Sequence, residues 1–181
     1  MKKILLLTLM LFLFISPMMA QKNKRISRRD SIKALTEAID SIKHQQSLEA
    51  LKNKTFVIKF DRSVYNYNGI INNCDPLTNF IILNENNAVL QTCDTDRNTF
   101  FCKASDFRVK TTNKGETVFE MKLSNSSADK AIITLTEYAN YCNVRVHYMS
   151  AIFTGQLYPL GDANVLFLGR SWTKWSNIIS N

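Results

Sequence analysis

Three patterns of apolar positions follow one another along the chain. Ile4 to Ile15 is an apolar run broken only by Thr8, set between Lys2-Lys3 and Ser16-Pro17. Next, Ile32, Leu35, Ile39 and Ile42 recur at three- and four-residue steps. That spacing lines one face of a 3.6-residue helix and predicts an amphipathic helix. Ser27 or Asp30 can cap its start, and Leu48 and Leu51 continue a weaker pattern after a bend near His44. The stripe is narrow, so the helix is expected to lie on a sheet or a partner rather than in a bundle. From Thr55 onward the period changes to two. Phe56, Ile58 and Phe60 alternate with Val57, Lys59 and Asp61. Phe119, Met121 and Leu123, then Val144, Val146 and Tyr148, then Phe153, Gly155 and Leu157 do the same. Alternation predicts strands with one buried and one wet face.

Further strands are expected at residues 79–83, 88–92, 99–111 and 131–137, separated by Asn- and Gly-bearing turns at 84–87, 113–115, 125–127 and 140. Short connections imply hairpins and an antiparallel sheet. Residues 63–78 read as a long loop. The expected fold class is α+β, mainly β: an antiparallel barrel-like or sandwich domain of about eight strands, preceded by one amphipathic helix.

The first apolar run reads as an address. A positive end, a short apolar stretch and Ala20 before Gln21 form the layout of a secretory signal peptide. An uncleaved anchor is the alternative, but a membrane span needs roughly 20 apolar residues. The expected organisation is a signal peptide over 1–20, a basic flexible N-terminus over 21–30, the helix and β domain over 31–170, and a tail over 171–181. Export to the periplasm or envelope follows. No Cys follows the run, so a lipid anchor is not expected.

Charge and cysteine content take their meaning from that address. Of 181 residues, 23 are Lys or Arg and 15 are Asp or Glu. Lys22, Lys24, Arg25, Arg28 and Arg29 crowd one segment. Such a cluster suits peripheral contact with anionic lipid or acidic glycan, and otherwise reads as a solvated terminus. No stacking motif accompanies it, so nucleic acid is not an expected partner. A 45% hydrophobic, 21% charged composition excludes a disordered or collagen-like chain. Cys74, Cys93, Cys102 and Cys142 are an even set for an oxidising compartment. Cys93 with Cys102 across a hairpin base, and Cys74 with Cys142, is one of three connectivities; four thiols is the alternative. No Cys-x₂₋₄-Cys pair exists for zinc.

The sequence carries few residues arranged for chemistry. His147 shares the wet face of its strand with Arg145 and can bind an anion with it, or be plain solvated surface. Cys142 and His147 lie five apart on one strand, hence on opposite faces, which argues against a nucleophilic pair. His44 falls on the helix. There is no G-x-S-x-G elbow, no H-E-x-x-H and no glycine-rich phosphate loop. Asp94-Thr95-Asp96-Arg97-Asn98 starts like a calcium loop, but Thr99 and Ser105 stand where Gly and Glu belong. No metal or cofactor is therefore expected. Glu120 and Glu137 are ordinary strand carboxylates. The Asp-Ser-Ile triplets at Asp30 and Asp40 look like an O-glycosylation tripeptide or common helix-surface residues. Phe56, Phe60, Phe80, Phe119, Tyr148 and Phe153 are expected to point inward, as core or as the lining of an apolar pocket. Trp172 and Trp175, beside Arg170 and Lys174, can anchor a partner or cover the end of the domain.

Several motifs occur in a recognisable order. They are Leu51-Lys52-Asn53-Lys54-Thr55-Phe56-Val57, Asn79-Phe80-Ile81, Ala88-Val89-Leu90-Gln91, Gly155-Gln156-Leu157-Tyr158-Pro159-Leu160, Asn164-Val165 and Gly169-Arg170. Across residues 34–170 the chain resembles the bacterial secreted family Domain of Unknown Function 4251. The resemblance implies a signal peptide, an N-terminal helix and an antiparallel β domain in the envelope. It implies no activity and no catalytic residues. The segment 93–102 and the Trp172/Trp175 tail depart from the family pattern. The function expected is a non-catalytic binding or protein-interaction module, with an envelope protein or a small apolar ligand as partner. A carrier holding a hydrophobic molecule in the β-domain interior and an unrecognised hydrolase are the alternatives.

Overall fold

Where the alternating positions begin, the chain forms strands in an unbroken up-and-down order. The computed structural model describes residues 2–93, 97–124, 129–147, 149 and 151–161, with backbone alone for 2–27, 93, 97 and 98. Its elements are α1 (Lys2–Asn53), β1 (Thr55–Tyr65), β2 (Ile71–Asn73), β3 (Phe80–Asn84), β4 (Asn87–Cys93), β5 (Arg97–Thr111), β6 (Thr117–Ser124), β7 (Lys130–Leu135), β8 (Tyr141–Val146) and β9 (Ala151–Pro159). The chain divides into two units, residues 1–39 and 40–181.

The first unit is helical from Lys2 onward, so Ser27 and Asp30 lie inside α1 rather than at its start. No helix among the described residues is long and apolar enough to cross a membrane. Ile32, Leu35 and Ile39, and Ile42 in the second unit, are 42–62% exposed.

In the second unit, eight strands close into an antiparallel barrel in the order β1-β3-β4-β5-β6-β7-β8-β9, and β9 returns to pair with β1. Closure leaves no sheet edge to manage among these eight strands. The expected loop over 63–78 is shorter than the sequence suggests. β1 runs on to Tyr65, and β2 pairs with it through Arg62↔Asn73, Ser63↔Asn72 and Val64↔Ile71. The β3–β4 turn has two residues, with positive φ at Glu85. Positive φ at this position is a feature of the primed hairpin turns, whose twist matches their strands. Two bulges bend the wall, one between Phe60 and Arg62 in β1 and one between Ser105 and Arg108 in β5, where Asp106 has φ 51°.

Period-two residues fill the barrel. Phe56 meets Phe119 edge-on with centroids 5.8 Å apart, and Phe60 stacks on Phe153 at 4.8 Å. Ile58, Ile81, Leu83, Leu90, Met121, Ile133, Val144 and Leu157 pack with them, all buried. The last turns of α1 close one end. Ala50 and Leu51 are buried, and Ser47 Oγ donates to Leu157 O at 3.2 Å. His44 Nδ1 lies 3.1 Å from Ala139 O, so it carries the proton it donates. The helix stops at Lys54, which takes φ 57° and donates its N–H to Leu51 O at 3.1 Å. That is the left-handed position that often ends helices.

Three expectations are corrected here. Val57 and Lys59 were expected on a wet face but are 0% and 9% exposed. The outer face of β1, β3 and β4 carries its own apolar cluster of Val57, Phe80, Ile82, Val89 and Leu160. Phe80 therefore belongs to this outer cluster and not to the interior. The hairpin pairing of Cys93 with Cys102 is the third. Cys102 pairs in register with Ala88, while Cys93 pairs with Arg97. Five strand residues separate the two rungs, about 17 Å at 3.4 Å per residue, far beyond disulfide reach. Among the described residues no disulfide forms: Cys74, Cys102 and Cys142 are thiols.

Candidate ligand-binding groove

The barrel register decides which outward side chains become neighbours. Ile132 on β7 pairs with Arg145 on β8, Arg145 with Ile152 on β9, and Ile152 with Val64 on β1. One row across four strands therefore reads apolar, cationic, apolar, apolar. The next row, two residues along, reads Thr134, Asn143, Thr154 and Arg62. Every row member except Arg62 lines an open groove of about 470 Å³ on the outside of the barrel. Strands about 4.8 Å apart place Ile132 and Ile152 roughly 10 Å from each other, on either side of Arg145.

The floor is rich in donors. Thr154 Oγ1 donates to Asn143 Oδ1 at 3.0 Å, a bond that does not use the amide's NH₂ donors. Among the described residues, neither Arg145 nor Arg62 makes a salt bridge. The nearest acid along the row is Glu120, paired with Ile132 from the far side. Lys130 at 3.0 Å and Lys110 at 3.7 Å hold it. The Lys130 hydrogen bond is the main reason its carboxyl sits below the usual range. Its charge is answered locally, and the groove remains cationic.

The sequence candidates separate. Arg145 is in the groove. His147 is on the same outer face beyond the end of β8, with Nδ1 2.6 Å from Asp129 Oδ1. It is thus engaged with a carboxylate and does not line the groove. Cys142 points the other way, into the core, where its thiol donates to Gly155 O at 3.7 Å. Burial pushes that thiol far up from its ordinary range. Trp172, Trp175 and the Asp94-Thr95-Asp96 tip lie outside the described residues. No three His, Cys, Asp or Glu side chains converge as a metal site among the described residues. The residues that sequence reasoning missed are Val64, Ile132, Thr134, Asn143, Ile152 and Thr154. Each is an ordinary outward strand residue, and only the register across four strands gathers them.

No family model matches the chain. No curated protein matches it. Among solved structures, it is similar to a DUF4251 family protein from Bacteroides eggerthii DSM 20697, with TM-score 0.62 and 23% identity. The match covers 75% of this chain and 99% of that one. The helix-and-barrel fold is thus shared with a Domain of Unknown Function 4251 protein, the family that the motifs between Leu51 and Arg170 resemble.

Proposed function

We propose that the protein is exported to the cell envelope and works there as a non-catalytic binding module, with the groove as its contact surface. One observation carries this reading. Among the described residues, Arg145 stands between Ile132 and Ile152 and makes no salt bridge. A cation held between two apolar side chains on a preformed surface suits recognition. Among the described residues, the groove lining has no carboxylate, thiol or imidazole to act as acid, base or nucleophile. Export is supported by the apolar run behind Lys2 and Lys3.

The alternative of a hydrophobic carrier requires room inside the barrel. The interior aromatics contact one another at stacking distance, which favours packed core over an apolar lumen. Native mass spectrometry on protein recovered from its own envelope, with a denatured control, tests the proposal. The expected result is extra mass on the wild type that denaturation removes and that Arg145→Gln abolishes. An adduct that persists in Arg145→Gln moves binding elsewhere, and a bare wild type removes the groove as a stable binding site.

A further inference from the structure

We infer that the groove binds a small amphiphilic anion, a carboxylate carried on an apolar body. This rests on the groove being the contact surface, and it names what fills it.

The chemistry follows from the two rows. An inorganic anion would meet Arg145 and leave Ile132, Ile152 and Val64 wet. A plain hydrocarbon would cover those three but strip water from a guanidinium with nothing to replace it, which is costly. A ligand with both parts satisfies both rows. Its carboxylate accepts from Arg145 and from the NH₂ of Asn143, both of which line the groove. Its apolar body lies along Ile132, Ile152 and Val64. The volume of about 470 Å³ falls among pockets for small molecules.

Charge and topology narrow the choice further. Arg62 lies in register with Thr154, so a second cation borders the groove. Glu120 is the acid next along the row, and Lys130 and Lys110 already hold it. An extended acidic peptide would be the macromolecular competitor. Peptides usually add to a sheet by pairing with an open edge. β7, β8, β9 and β1 are each hydrogen-bonded on both sides over this stretch, so their backbone has no edge to give. Only side chains face the groove, which suits a small molecule.

The test uses the full chain, ¹⁵N-labelled and recovered from the envelope, freed of any adduct. Four probes are titrated and followed by amide chemical shifts: dodecanoate below its micelle concentration, acetate, dodecyltrimethylammonium and an acidic octapeptide. Dodecanoate should shift the amides of Thr134, Asn143, Arg145, Ile152 and Thr154. Acetate and the cationic amphiphile should bind at least tenfold more weakly. Arg145→Gln and Ile132→Ser should each weaken dodecanoate at least tenfold with the circular dichroism spectrum unchanged. Equal binding of the cationic amphiphile, tighter binding of the octapeptide, or shifts confined to other parts of the chain would overturn the inference. An Arg145-dependent adduct in the envelope, together with no dodecanoate binding, would sink this ligand class and leave the binding reading standing.

Discussion

Single residues set how this molecule answers pH and chemical attack. Cys142 is buried against the core, and burial raises its thiol pKa far above the ordinary range. The thiolate is the reactive form, so this cysteine is inert while the barrel is closed. Cys102 is buried as well, whereas Cys74 is partly exposed. Iodoacetamide should therefore label Cys74 before Cys102 and Cys142 in the native protein. Cys102 and Cys142 should react only after denaturation, with no reductant needed. Peptide mass spectrometry reads the order, and a cysteine that stays blocked until reduction would restore a disulfide. Glu120 supplies a second residue-scale prediction. Its folded pKa lies below the unfolded value because Lys130 hydrogen-bonds the carboxylate and Lys110 adds charge. The unfolded state then binds more protons as pH falls below the usual carboxylate range. The stabilisation is complete above the unfolded pKa and is lost as pH drops through the folded one. Glu120→Gln should flatten that part of the acid limb in thermal melts from pH 6 to pH 2. An unchanged acid limb would mean that the Lys130 pair contributes nothing to stability.

Elements show where local pattern specifies structure and where it stops. The alternating residues of β6 to β9 face as their pattern says: Phe119, Met121, Leu123, Val144, Val146, Phe153 and Leu157 are buried. β1 departs from its pattern because it is covered on both faces. Val57 packs in the outer cluster, and nothing local in Phe56-Val57-Ile58-Lys59 announces that cover. The end of the helix packs through positions other than its cleanest stripe. Ile32 to Ile42 has the cleaner spacing, yet α1 docks through Ser47, Ala50 and Leu51, whose signal is one small polar, one small apolar and one large side chain. Arg145 was visible as an outward cation, while the groove around it depended on long-range register. The β1–β9 seam has the sharpest local requirement. Gly155 pairs with Phe60 at the bulge, and a Cβ there would lie 2.0 Å from Lys59 O. Backbone cannot yield as a flexible side chain can. Gly155→Ala should cost at least about 2 kcal/mol, at the upper side of ordinary overpacking penalties. Denaturant melts measure this, and a loss under 0.5 kcal/mol would mean the seam opens easily, by the usual scale of surface substitutions.

At the scale of the whole molecule, the barrel interior is packed, and the proposed contact surface lies on the outside of its wall. Phe119 makes the case testable, since it touches Phe56 and Phe107 with ring centroids 5.8 Å away in both directions. Lys54 Nζ caps the same group from 4.3 Å over the Phe107 ring. These contacts tie β1, β5 and β6 to the end of α1 through one aromatic cluster. If the interior is core, Phe119→Ala should lose about 3–5 kcal/mol, the range for large aromatic truncations in tight interiors. The groove lies on the opposite side of the wall, and its lining comes from β1, β7, β8 and β9. Ligand affinity at the groove should therefore survive Phe119→Ala at temperatures where the variant remains folded. A lumen built for cargo would respond differently. Its aromatic lining would trade little stability for the missing ring, and the bound mass recovered from the envelope would change with it. Thermal melts and native mass spectra of Phe119→Ala and Arg145→Gln thus form a crossed pair. Stability should fall only with the phenylalanine and binding only with the arginine.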